Sequence, residues 1–466
     1  MTAVPAGPLD PAQEVVERAL VAATAGPCAV LVEERSETDV RFANNTTTTN
    51  GQRRDRRVTV VSFRVGSSGT SVGVASRSGA GDVADLVAAA EADARGAEAA
   101  EDAAPLISAI EDPSFADAPV LSGFESVAPV VSGLGEVFAQ ARAERRVLSG
   151  FATHENATTY LGTSAGTRLR HVQPTASLQL VARAADGSAS AWAGTGGESL
   201  PPDAIVALNG RVTRRLAWSG RRVDLPAGRY DAVLPPDAVA DLMIVLAEAA
   251  SGKDAEDGRS VFSRAGGGTR IGDVLSASPL SLTSDPRAPG LTCQPFLATG
   301  ASSADVSVFD EGAPIGPTAW IDGGRLARLR YHRAGAERSG AEFTPPVDNL
   351  TLALPGADSS LEDVIARTDR ALLLTCLWYI REVDLATLLV TGLTRDGVFL
   401  VENGEVVGAV NNFRFNESPV DMLSRVVDAG RSERALSREW GEWMSRTSMP
   451  ALRITEFNMS SVSPAS

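Results

Sequence analysis

The pattern of this chain changes once, over residues 219–229, and that change restricts the fold more than any other feature. Before it, helical and β-type segments alternate in blocks. Residues 11–23 read as a helix with Val15, Val16, Leu20 and Val21 on one side, and 28–33 as a short apolar strand. A meander of β-branched strands follows at 39–43, 57–63 and 70–76, separated by the turn-rich stretches 44–51 and 66–69. An Ala-rich helix over 82–100, a surface connection over 98–119 and a helix over 130–146 come next. Strands at 146–153, 158–162, 167–172, 176–184 and 188–193 lead to a closing helix over 203–218. After the change, a strand at 230–234 and a helix at 237–250 give way to short strands punctuated by Gly and Pro. These lie at 280–283, 306–310, 319–322, 326–332, 349–354, 397–402 and 405–415, with helices at 360–366 and 419–429. The changeover itself carries Pro226 and Gly228 among charged residues, which is linker composition. At 466 residues the chain exceeds what one core supports. The expectation is an α+β protein of two domains. Residues 1–222 form an α/β sheet domain with flanking helices, and 223–466 a mainly antiparallel β domain, wrapped as a sheet or barrel.

Charge and composition exclude several classes. Acidic residues outnumber basic ones 58 to 43, a net charge of −15, which opposes contact with nucleic acid or an anionic membrane surface. The most apolar windows, 242–246 and 372–380, are too short to cross a bilayer. Residues 1–17 carry Asp10, Glu14 and Glu17 where a signal peptide is apolar, so the expected location is the cytoplasm. Cys28, Cys293 and Cys376 are odd in number and far apart, and read as buried thiols rather than a disulfide or zinc framework.

Catalytic motifs are weak where they occur. G-x-S-x-G appears at Gly69–Gly73 and Gly162–Gly166, but both matches have β-type sequence on each side, whereas a nucleophile elbow joins a strand to a helix. The run Gly266-Gly267-Gly268 lacks the Gly-Lys-Ser/Thr ending of a phosphate loop and reads as a turn. A hydrolytic zinc site takes three protein ligands and keeps one position for water. This chain has three histidines. His154-Glu155 has no second His four or five residues on, and His332 reads as an exposed residue of a basic strand. The acidic stretch 254–257 reads as a solvated loop.

Several segments of the second half resemble the TldD/PmbA family of modulators and proteases. They are Gly258-Arg259-Ser260-Val261-Phe262-Ser263, Ile271-Gly272-Asp273, Ser281 to Pro286, and Phe309-Asp310-Glu311-Gly312-Ala313-Pro314. Trp320 to Leu326, Pro345 to Leu350, Thr391-Gly392 and Phe399 to Glu405 continue the series in the family's order. In the family's TldD branch the central helix carries H-E-x-x-x-H and a late cysteine adds a zinc ligand. The matching window here is Met243-Ile244-Val245-Leu246-Ala247-Glu248, and the late segment is Trp440-Gly441-Glu442-Trp443-Met444-Ser445. Neither carries a His or Cys, so the chain resembles the TldE branch.

The resemblance implies no catalytic residue, metal or cofactor in this chain and zinc in a TldD-like partner subunit. The pair would form a heterodimeric metalloprotease acting on unfolded or short peptides, with this chain a pseudoenzyme that supplies one wall of the cleft. The expected substrate contacts are Asp310, Glu311, Gly312, Thr391 and Gly392, all read as turn residues, and Met243, Ile244 and Glu248 mark the degenerate metal window. The competing reading is a stand-alone peptide-binding or regulatory homodimer of the same fold. An independent hydrolase built on Ser164 or on an acidic metal site is a third.

Overall fold

The structure, a computed structural model, describes residues 10–463. The first nine residues of the 1–17 segment read above for an export signal lie outside the described residues. The first half begins with α1 (Ala12–Ala22), β1 (Cys28–Ala43), β2 (Thr46–Gly66), β3 (Gly69–Ser78) and α2 (Val83–Gly96). It continues with α3 (Ala128–Ala143), β4 (Arg146–Thr163), β5 (Arg168–Ala184), β6 (Ser190–Gly197) and α4 (Ala204–Trp218). The six strands pair antiparallel in the order β3-β2-β1-β4-β5-β6.

Strands expected to be short are long here. The 44–51 loop shrinks to a two-residue turn at Asn44-Asn45, both at positive φ (52° and 57°), and the Thr-rich stretch behind it runs on as β2. Asparagine tolerates the left-handed region that tight hairpins require, and threonine favours the strand. The breaks expected at 154–157 and 173–175 are likewise absent, because β4 and β5 pair continuously from Arg146↔Ala184 to Gly162↔Arg168. Pro174 is tolerated because β6 reaches only to Ala176, so the missing N–H removes no bond on that edge.

Alternation splits this sheet into unlike faces. Even-numbered residues such as Val30, Val32, Val58, Val60 and Tyr160, and Phe42, Leu148, Leu178 and Leu180, pack under the four helices. On the opposite face one end is apolar, where Val61, Phe63, Leu161 and Leu169 meet Phe296, Val308 and Phe309 of the second half. The remainder is polar, with Arg53 2.8 Å from Glu37 and Arg35 3.9 Å from Glu155.

The second half adds β7 (Arg222–Val223), β8 (Gly228–Leu234), α5 (Pro236–Glu248), α6 (Gly252–Glu256), β9 (Ser281–Ser284), β10 (Thr318–Asp322) and β11 (Arg325–Leu326). Then come α7 (Arg333–Ser339), β12 (Leu350–Ala353), α8 (Leu361–Ala366), β13 (Arg370–Leu374), β14 (Leu377–Asp384) and β15 (Leu389–Thr394). It ends with β16 (Val398–Glu402), β17 (Glu405–Val410), β18 (Phe413–Glu417), α9 (Pro419–Ser424), β19 (Val426–Ala435) and β20 (Thr447–Val462). These build a mixed 14-stranded sheet along β11-β10-β9-β12-β20-β8-β13-β16-β17-β7, with β18, β15 and β14 branching from β20, and β19 also on β20.

Most pairs are antiparallel, but β12–β20, β8–β13 and β7–β17 are parallel. The path ends at β11 and β7 without closing into a barrel. Four expected elements differ locally. Residues 308–310 form a 3₁₀ turn capped by Ser307, the 326–332 strand stops early in favour of α7, the 405–415 strand breaks into β17 and β18, and the 419–429 helix ends at Ser424 to become β19. No described helix is long and apolar enough to cross a membrane.

Candidate functional site

Helix α5 is the pivot of the second half. Pro236 occupies its first turn, where a missing N–H costs nothing, and every residue from Asp237 to Leu246 is buried. A helix buried all round must satisfy any polar group it carries. Asp237 and Asp241, one turn apart, fasten the segment between β19 and β20, although Asp241 Oδ2 is left without a partner. The amide of Leu436 donates to Asp237 Oδ1 at 3.1 Å, that of Glu439 to Asp241 Oδ1 at 2.9 Å, and the Ser437 hydroxyl also donates to Asp241. Burial pushes the Asp241 carboxyl up to about 8, against the pull of those donors. Trp440 closes the contact by donating from Nε1 to the Asp241 carbonyl at 3.1 Å.

This clamp brings the 440–445 segment onto the 243–248 window, so the two stretches singled out by the family resemblance meet in space. They meet around packing rather than ligands. Met243 and Ile244 are buried in the main apolar core. Glu248 ends the helix with Oε1 3.4 Å from Arg330 Nη1, while Arg330 Nη2 donates to the Glu248 carbonyl and lies 2.9 Å from Asp305 Oδ2. Burial raises the Glu248 carboxyl and Arg330 opposes the rise. Glu248 is thus already engaged by a guanidinium and is not free to serve as a metal ligand. Among the described residues no group of three or more His, Cys, Asp or Glu is arranged to hold a metal ion. The residues present at the window do not fit zinc.

Two cavities flank Glu248 and Trp443. One, of about 310 Å³, is lined by Ile244, Val245, Ile380, Trp440 and neighbours. The other, of about 470 Å³, has a mixed wall whose charged part, Asp305, Arg330, Asp348 and Arg446, makes it the more polar of the two. Asn349 fixes the chain at Asp348, since its side-chain amide accepts from Asp285 N at 3.0 Å and donates to Leu291 O at 2.7 Å. Arg446 Nη2 crosses to the first half, donating to Pro174 O at 3.1 Å and to Thr175 Oγ1.

The residues expected to touch substrate lie elsewhere. Asp310 is fully buried and accepts from Arg333 Nε at 2.6 Å and Arg333 N at 3.0 Å. Glu311 is buried, accepts from Thr299 N at 2.7 Å, and is raised well above the usual carboxylate range by that burial. At Gly312 the φ of +82° and a Cβ position 3.1 Å from Thr167 Cγ2 demand glycine, since the turn presses against the first-half sheet. The Asp-Glu-Gly turn is thus a joint between the two halves. Thr391 and Gly392 sit within β15 rather than in a turn; Thr391 Oγ1 donates to Phe415 O at 3.2 Å, and a Cβ on Gly392 would meet the Phe415 ring at 2.4 Å.

Other candidates resolve into structural roles. His332 is buried, not exposed, and caps α7 by accepting from Gly335 N through Nδ1. Ser71 lies in β3 and donates to Ala94 O, and Ser164 accepts from Cys28 N, so neither G-x-S-x-G match is an elbow. The acidic 254–257 stretch straddles the end of α6, where Arg259 bridges Asp254 and Asp257. All three cysteines are free and buried. The cavity residues Asp305, Arg330, Asp348 and Arg446 escaped sequence reasoning; the basic run 328–333 marked the region, but attention there fell on His332.

Comparison with known proteins agrees with this architecture. Residues 227–461 match the family described as PmbA/TldA metallopeptidase C-terminal domain. Among solved structures, TldE from Thermococcus kodakarensis is similar at 16% identity and a TM-score of 0.77, over 96% of this chain and 99% of that one. A proposed modulator of DNA gyrase from Thermotoga maritima gives 17% and 0.74, over 96% and 99%. Another from Bacteroides thetaiotaomicron gives 16% and 0.73, over 97% and 99%. At these identities the likeness is one of fold. No curated protein matches the chain. With half of its length matched by the family and the same fold carried through both halves, the chain belongs to the TldD/PmbA metallopeptidase family.

Proposed function

We propose that this chain is the metal-free, TldE-like companion subunit of a two-chain zinc metalloprotease, acting in the cytoplasm on unfolded or short peptides. The observation that carries the reading is the state of the 243–248 window. Met243 and Ile244 are core residues, and the one carboxylate, Glu248, is held by Arg330. A chain with this window has no means of its own to activate water through a metal. The TldD-like partner would hold the zinc. This chain's contribution is the wall formed by the polar cavity and the bare face of the six-stranded sheet, which binds and orients peptide and excludes solvent.

The test is co-expression with the H-E-x-x-x-H protein of the same genome, followed by co-purification, zinc analysis and peptide cleavage. A stoichiometric pair with about one zinc that cleaves only when both chains are present is the expected result. Separate chains, with the partner cleaving unaided, would overturn the companion role and leave a peptide-binding homodimer as the reading to pursue.

A further inference from the structure

We infer that the polar cavity beside Glu248 recognises the amino terminus of a peptide, an α-ammonium group followed by a carbonyl. The inference rests on the peptide-handling part of the reading above and names what the cavity takes. Three carboxylates, Glu248, Asp305 and Asp348, share its wall with two guanidiniums, Arg330 and Arg446, leaving a surplus of negative charge. Arg330 is engaged by Glu248 and Asp305 together. Arg446 binds neutral oxygens of Pro174 and Thr175. Asp348, exposed at the cavity, takes no side-chain hydrogen bond or ion pair from the described residues.

The unmet groups are of two kinds. Asp305 Oδ1 accepts nothing from the chain, and Arg330 Nε and Arg446 Nε donate to nothing, although the two arginines are 8% and 7% exposed. Buried polar atoms without partners are costly, and a ligand that supplies partners gains what the chain alone forgoes. A lone cation satisfies the carboxylates and leaves both N–H donors unmet. An anion does the reverse and meets Asp348. An α-ammonium next to a peptide carbonyl brings three donors and an acceptor within one residue, matching both kinds at once. Trp443, 59% exposed at the mouth, offers an aromatic face to the same positive charge. A lysine side chain shares the ammonium but not the adjacent carbonyl.

The test is calorimetric titration of the full-length chain by itself with three probes: Ala-Ala-Phe-Ala amide with a free amino terminus, its N-acetylated form, and the acetylated form with lysine as first residue. The free terminus should bind at least about tenfold more tightly than either acetylated peptide, the scale of one charge-assisted hydrogen bond. Asp348→Asn should bring the free peptide down to the acetylated level while leaving the acetylated peptides unchanged. Equal binding of all three peptides, no binding by any, a lysine peptide that matches the free terminus, or a preference that survives Asp348→Asn would each overturn the inference. Acetylation alters the ligand and not the protein, so the outcome does not hang on how the variant folds. Since the chain is titrated alone, loss of the preference leaves the companion role standing, and failure to co-purify leaves the preference standing.

Discussion

Helix α5 carries acidic side chains at both ends, and they are used in opposite ways. Near its start, Asp237 and Asp241 are sealed from solvent; Asp241 is met by a hydroxyl and an amide, while Asp237 takes an amide and keeps Arg211 at 3.4 Å. At its end, Glu248 is half-buried, faces a guanidinium and lines a cavity. A carboxyl sealed from solvent, as Asp241 is, is held toward its protonated form by burial even against its donors, and acts as structural glue. One beside arginine is an ion pair whose partners remain available to a ligand. Two turns separate a residue that holds the chain together from one that faces whatever enters.

The contrast can be broken at its polar end first. Arg330→Leu strands Glu248 and Asp305, and should cost about 3 kcal/mol of stability, read from the urea midpoint. Adding Glu248→Gln to it should recover part of that loss, because the two changes share one interaction and do not add.

At the sealed end pH is the probe. The Asp241 carboxyl titrates near 8 in the folded chain, above its unfolded value of about 3.9. Its contribution to stability is therefore complete below about pH 4 and is lost as pH rises through about 8. Asp241→Asn keeps the acceptor at one oxygen position and cannot ionise. It should change stability by no more than about 1 kcal/mol at pH 5, because the position of the added amide is the Oδ2 that already lacks a partner in the parent. Its urea midpoint should then fall less than that of the parent between pH 5 and pH 9. Equal slopes would mean that Asp241 is ionised in the folded chain, and the two ends of α5 would no longer differ in kind.

The smallest expected change is in Trp443→Ala. With its ring 59% exposed, the residue should contribute within about 0.5 kcal/mol to stability. A larger loss would show that Trp443 belongs to the clamp with Trp440 rather than to the cavity mouth.

How much of this was legible beforehand depends on the range of the forces involved. The helix at 237–250 was readable because its apolar residues and flanking prolines are local signals, and it appears as Pro236–Glu248. The two unlike halves were readable for the same reason. Strand continuity was not. His154, Glu155 and Asn156 read as a break, yet each is paired across β1 and β5, and pairing partners lie far along the chain. β20, which joins four other strands and organises the second sheet, drew no expectation at all. Glu456 within it sits at a φ of 55°, a bulge that disrupts the alternation by which a strand is recognised.

The candidate site divides along similar lines. The emptiness of the metal window could be read residue by residue, whereas the cavity could not. Glu248, Asp305, Arg330, Asp348 and Arg446 come from five separate stretches; Glu248 and Asp348 lie in family-like segments, but nothing local shows that the five meet. The Asp310-Glu311-Gly312 run looked like a substrate turn because its residue types are polar. Burial against the first-half sheet, which no local pattern encodes, turns it into a joint.

The filling of the 243–248 window also bears on the paths open to the sequence over evolutionary time. A histidine at 243 alone would place a polar ring in the apolar core with nothing to coordinate, at a cost of a few kcal/mol. A second ligand would have to appear on the same helix, a third in the 440–445 segment, and Arg330 would have to give up its place beside Glu248. Each step taken singly costs stability before the set of ligands is complete. The packing of Met243 and Ile244 therefore works as a ratchet against building a metal site at this window one residue at a time.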